Sequence, residues 1–128
     1  MGESVEHKRL VKALIEELKH QKFEIINASC DGYEPCPEID GGIPDVKAYR
    51  KIDETVIIGS AKTDPDFDLQ QTESELRRFS DLVMSGGASK GKAVDLFIAV
   101  PKGSEAKLQA YLVKLGLSRK PNISTSSF

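Results

Sequence analysis

Asp45, Lys62 and Glu75 are the residues of this chain whose types and spacing suit one reaction, the hydrolysis of a phosphodiester assisted by a metal ion. That chemistry needs clustered carboxylates to hold Mg²⁺ and a group that orients water and neutralises phosphate charge. Asp45 stands in Ile43-Pro44-Asp45, at the start of an expected strand, and Lys62 ends the next one in Ser60-Ala61-Lys62. In an antiparallel hairpin the start of one strand adjoins the end of its partner, so the two side chains can converge. Strand side chains alternate, so Ser60 and Lys62 share a face and both can look toward Asp45. Lysine there can orient the attacking water or neutralise the phosphate. The second carboxylate is best supplied by Glu75, which precedes Leu76 by one residue and Phe79 by four and so borders a helix face that packs on the sheet. Glu73 is the runner-up. Glu6, four residues before Leu10, can contribute from the first helix, although a first-turn acid also simply suits the helix dipole. Each piece alone is ordinary: Pro-Asp is a turn dipeptide, a lysine at a strand end is a solvated cap, and a helix glutamate faces water. Their conjunction carries the reading.

The elements that must position these residues follow from periodicity. Residues 3–20 read as a helix with the stripe Leu10, Val11, Leu14, Ile15 and Leu18, and Ser4 as a candidate cap. FEIINA, residues 23–28, is a first strand, and the Gly-, Pro- and Asp-rich residues 31–42 are a loop. Residues 43–49 and 55–62 form a hairpin about a turn at 50–54. Pro44 marks an entry position, and Val56-Ile57-Ile58 suits a strand buried on both faces. A second helix is expected over about 68–84, a flexible loop over 85–91, a fourth strand over 93–100, and a third helix over 104–115 with Gly116 as its stop. SGGASKG is no phosphate loop, since Gly-Lys lacks a following Ser or Thr and precedes a strand. The order α-β-β-β-α-β-α implies an α/β fold with a central mixed four-stranded sheet flanked by helices. Residues 1–117 are expected to form one domain and 118–128 a disordered tail.

Composition bounds the classes. The chain has 128 residues, 39% apolar and 30% charged, which suits one domain with one core. No apolar run approaches the ~20 residues that span a bilayer, and the charged start MGESVEHKRL has no apolar core, so no membrane partner and a cytoplasmic location are expected. A net charge of −2 does not advertise nucleic-acid binding, but metal-holding carboxylates lower the total. Cys30 and Cys36 do not fit a zinc spacing and are read as thiols without a role.

The element order, with Pro44-Asp45 on the second strand and Ser60-Ala61-Lys62 on the third, resembles the PD-(D/E)xK nuclease superfamily. The resemblance covers roughly residues 3–115 in element order and is local in motif. It implies a restriction-endonuclease-like fold at the size of a Holliday-junction resolvase. It also implies a metal-dependent endonuclease acting on DNA, Mg²⁺ as cofactor with Mn²⁺ as substitute, and a homodimer for cutting two strands. The strand-two aspartate falls on Asp45, the strand-three lysine on Lys62, and the first-helix acid of the resolvases on Glu6 or Glu3. Ser60 departs from the pattern, because the superfamily usually has Glu or Asp there. One subgroup of restriction enzymes moves that glutamate to the following helix, twelve or thirteen residues beyond the lysine, which here falls on Glu75. A displaced site of Asp45, Lys62 and Glu75, with the carbonyl of Ala61 as a further metal ligand, is one expectation. A catalytically degenerate nuclease-fold domain that binds nucleic acid or protein is the other.

Overall fold

The computed structural model describes residues 5–39, 41–84 and 91–128. The first helix, α1 (Val5–His20), buries the expected stripe of Leu10, Val11, Leu14, Ile15 and Leu18. It ends where Lys22 takes a left-handed φ of +73° and the Phe23 N–H returns to the Leu18 carbonyl. Three strands follow: β1 (Glu24–Ala28), β2 (Val46–Arg50) and β3 (Thr55–Ala61), each antiparallel to the one before. The second helix, α2 (Gln70–Ser80), crosses to β4 (Asp95–Val100), which lies parallel to β3. The third helix, α3 (Glu105–Leu115), stops at Gly116 with φ +76°, and the Leu117 N–H bonds the Leu112 carbonyl. The chain then forms β5 (Ile123–Ser127), parallel to β4.

The result is an α/β protein with a mixed sheet in the order β1-β2-β3-β4-β5. Two apolar clusters separate its faces. α1 packs with Val46, Ala48, Ile57, Ala61, Phe97 and Ala99 on one face. Residues of α2 and α3 pack with Ile58, Leu96, Ile98 and Val100 on the other. The alternation along β3 and β4 assigns each side chain to its layer. No helix of the described residues is long and apolar enough to cross a membrane.

Three expectations need correction. The sheet has five strands among the described residues, not four. The fifth lies in the segment 118–128 that reads as a disordered tail: Ile123–Ser127 pairs along β4, and the Phe128 ring stacks on Phe97 at 6.5 Å. Ile-Ser-Thr-Ser-Ser is polar because it forms an edge that stays partly open to water along its length. The second helix ends at Ser80 rather than Met84. Its last carbonyl is taken from outside: Lys120 Nζ and Asn122 Nδ2 both donate to the Ser80 carbonyl. Val83 then pairs with Ala93 in a short bridge. The expected cap Ser4, the acid Glu3 and residues 85–90 of the expected flexible loop lie outside the described residues.

Candidate functional site

The hairpin brings Asp45 beside the end of β3, but its side chain meets the Ala61 N–H and His7 rather than Lys62, with which it was expected to converge. Val46 pairs with Gly59, so Asp45 stands opposite Ser60, one residue outside the strand. Its N–H donates to the Gly59 carbonyl at 2.9 Å, while its own carbonyl turns toward β1 and accepts the Ser29 N–H at 2.8 Å. The backbone carbonyl is therefore not offered to the end of β3, and the carboxylate takes its place. Asp45 Oδ2 accepts the Ala61 N–H at 2.8 Å. A charged acceptor makes this a stronger bond than a neutral carbonyl would. The other oxygen, Oδ1, lies 3.2 Å from His7 Nε2 on α1.

Lys62 follows β3 directly. Its N–H continues the parallel pairing to the Ala99 carbonyl at 2.9 Å. Its ammonium lies 3.4 Å from Glu75 Oε2, with the side chains only 12% and 13% exposed. Glu75 Oε1 accepts from Gln71 Nε2, one turn earlier on α2, at 3.1 Å. Glu75 thus faces the end of the sheet. Gly42 passes close beside it: a Cβ on Gly42 would sit 3.3 Å from Glu75 Cγ and 3.0 Å from the Phe79 ring. The segment that delivers Asp45 therefore runs across the helix that carries Glu75. Ser60 is buried at 1% exposure and brings no charge to this end of β3. Ala61, equally buried, joins the two pairs through its N–H to Asp45 and its peptide link to Lys62.

Two residues named from sequence lie elsewhere. Glu6 forms a two-pronged pair with Arg9, which holds its carboxyl below the usual range, and Arg9 also donates to the Phe128 carbonyl at 2.9 Å. Glu73 pairs with Arg77 at the exposed side of α2. The residue that sequence reasoning missed is His7. It precedes Leu10 by three, Val11 by four and Leu14 by seven residues, which is the middle of the apolar stripe. That position was the available signal. Cys36 also lies near: burial, and then the charge of Asp45, push its thiol up to about 11. Both cysteines are free.

The end of β3 carries two separate pairs, Asp45 with His7 of α1 and Lys62 with Glu75 of α2, all mostly shielded from water. The donors suit a hard oxygen-binding cation or a phosphate approached by lysine. Among the described residues, no group of three or more His, Cys, Asp and Glu side chains is gathered closely enough to hold a metal by itself. Comparison of the chain with protein-family models, with curated proteins and with solved structures finds no match.

Proposed function

We propose that this protein is a metal-dependent endonuclease of the PD-(D/E)xK type, with a restriction-endonuclease-like fold and a displaced helix glutamate, hydrolysing phosphodiester bonds of DNA. The observation that carries the reading is the contact of Lys62 with Glu75 at the end of β3, next to the residue whose N–H Asp45 holds. A glutamate on the following helix faces the strand end where the strand itself offers only Ser60.

The donor set fits Mg²⁺ by its number of carboxylates. Mg²⁺ takes one or two carboxylates and completes its shell with water and substrate phosphate, so it needs no three-residue cage. Asp45 and Glu75 would supply those carboxylates, each oxygen keeping a lone pair beyond its protein hydrogen bond. The ion, when bound, supplies charge neutralisation at phosphate and a more acidic water. The chain's own groups do the rest. The Lys62 ammonium, released from Glu75 as the substrate arrives, would face a phosphate oxygen or the attacking water. His7 holds the Asp45 carboxylate from the helix side, and the Ala61 N–H holds it from the strand side, so its orientation is set before substrate binds. A homodimer would place two such sites on two strands.

The second reading, a nuclease fold without catalysis, is favoured by one observation: both carboxylates are already engaged by donors of the protein itself. Incubation of branched, duplex and single-stranded DNA with Mg²⁺ or Mn²⁺ separates the two. The nuclease reading expects cleavage that chelation stops and that Asp45→Ala and Lys62→Ala abolish while both variants stay folded by circular dichroism. Normal cleavage by Lys62→Ala would sink the catalytic assignment, and the absence of cleavage by the parent protein in either metal leaves the non-catalytic domain.

A further inference from the structure

A cleft of about 360 Å³ opens between α1 and the loop that follows β1, and its lining includes Lys8, Lys12, Ser29, Cys30, Asp31 and Tyr33. It adjoins the Asp45 site on two sides. Lys8 follows His7, and the cleft wall at Ser29 is the same residue whose N–H binds the Asp45 carbonyl. Lys8, Lys12 and Lys19 recur at four- and seven-residue spacing, which puts them on one stripe of α1 about 16 Å long at 1.5 Å per residue. All three are exposed. None of the three forms an ion pair with a carboxylate within the described residues, whereas their neighbour Arg9 is spent on Glu6. Lys19 instead lies over the Tyr33 ring, 5.7 Å from its centre.

The loop that presents Tyr33 is itself fixed. The Tyr33 N–H bonds the Cys30 carbonyl, the Ala28 N–H bonds the Glu34 carbonyl, and the Asn27 amide reaches the Pro35 carbonyl. An aromatic ring is thus held half-buried at the wall of a cationic cleft, with Ala28 and Pro35 supplying apolar surface beside it. Lysines along a track with an aromatic platform are what a single strand of nucleic acid requires: charge for the backbone and a flat face for an unstacked base. A duplex cannot place a base there without unpairing it. Asp31 is the acid in the lining, so phosphate belongs at the Lys8 and Lys12 end and the base at the Tyr33 end, where Lys19 must move aside from the ring.

We propose that this cleft binds one nucleotide of a single strand leading away from the Asp45 site, its phosphate on Lys8 and Lys12 and its base against Tyr33. The inference rests on the nucleic-acid reading above and refines it: the substrate is a strand that is unpaired beside the point of cleavage, as at a flap, a branch or an end.

The test uses fluorescence anisotropy of a labelled 15-nucleotide oligo(dT) and of a matched duplex, in EDTA, across a salt series. For single strands each phosphate contact adds about 0.7 to the slope of log K against log salt. Lys8→Ala/Lys12→Ala should therefore lower the slope by about 0.7, for the one phosphate the two lysines share, and weaken single-strand binding at least tenfold. Tyr33→Ala should weaken it by about 5- to 100-fold with the slope unchanged. Lys114→Ala, an exposed lysine on α3 across the sheet, should do neither. The proposal is overturned if the parent protein binds no single strand, if it prefers duplex, if the double variant stays within twofold, or if Lys114→Ala causes the same loss. Cleavage is read separately. Lysine-dependent binding without cleavage removes the nuclease reading and keeps the cleft, whereas cleavage that ignores Lys8 and Lys12 does the reverse.

Discussion

Gly59→Ala tests whether the packing of α1 sets the site. Gly59 is a buried residue of β3, and the space its side chain would fill is occupied by Leu14. A Cβ there would come within 2.5 Å of Leu14 Cδ2 and 3.2 Å of Cγ, about 0.9 Å inside ordinary contact for the nearer atom. Leu14 is fully buried, so its methyl has nowhere to turn and the helix must lift. Overpacking of this kind costs about 1–3 kcal/mol. Removing a strand glycine returns about 0.5–1 kcal/mol. The net expectation is a loss of about 1–2 kcal/mol, which for a chain of this size lowers Tm by roughly 3–10 °C. His7 lies two turns before Leu14 on the same stripe, and its 3.2 Å contact with Asp45 has no slack for a lift of most of an ångström. Urea unfolding followed by circular dichroism gives the stability. A Leu14→Ala partner completes the cycle: alone it costs about 2–5 kcal/mol, and with Gly59→Ala it should cost at least 1 kcal/mol less than the two losses added. If Gly59→Ala is as stable as the parent, or if the two losses simply add, the account of α1 docking is wrong.

Other perturbations reach different parts of the fold. Burial raises the Asp95 carboxyl above its ordinary 3.8, ahead of the opposing charges of Lys92 and Arg50. The unfolded chain therefore gives up this proton first, and the native state is penalised as pH rises through the folded value. Asp95→Asn should be the more stable protein at pH 7, with the gain fading near pH 3. A gain that is constant across that range would contradict the assignment. Iodoacetamide at pH 8.5 should alkylate half-exposed Cys30 well before Cys36, whose buried thiol is pushed up to about 11, with equal labelling only in urea; peptide mass mapping reads the order. Lys22 is exposed with φ +73°, so Lys22→Gly should add about 0.5–1 kcal/mol in urea unfolding, and a loss would mean its side chain matters more than its backbone.

The parts of the fold that sequence makes legible are those governed by local rules. The hairpin register follows from two adjacent runs and a turn, and it brings Asp45 to the end of β3. The helical period places Glu75 at the edge of the packed face, where Lys62 meets it. His7 is hidden in the sequence because an imidazole within an apolar stripe reads as a packed residue, whereas Glu6 beside it has the charge that a metal site calls for. The fifth strand has no local signature. Ile123 pairs with Leu96 across the whole of α3, and its polar neighbours need only satisfy one strand and water. The early end of α2 was equally hidden, because the groups that take its last carbonyl, Lys120 and Asn122, come some forty residues later.

One contact ties these observations to the order in which the molecule assembles. Arg9 reaches the Phe128 carbonyl, 119 positions away along the chain. The turn of α1 that carries His7 is thus stitched to the end of β5, a contact of such sequence separation that we expect it to close late. A folding chain with only β1 to β4 in place would already hold Asp45, Lys62 and Glu75, but the imidazole would swing on a fraying turn. On that order the candidate site would be completed by the final docking step rather than by collapse of the core. In pulse-labelled hydrogen exchange, amides at the start of α1 should gain protection together with those of Ile123–Ser127; protection there that precedes β5 would refute this order.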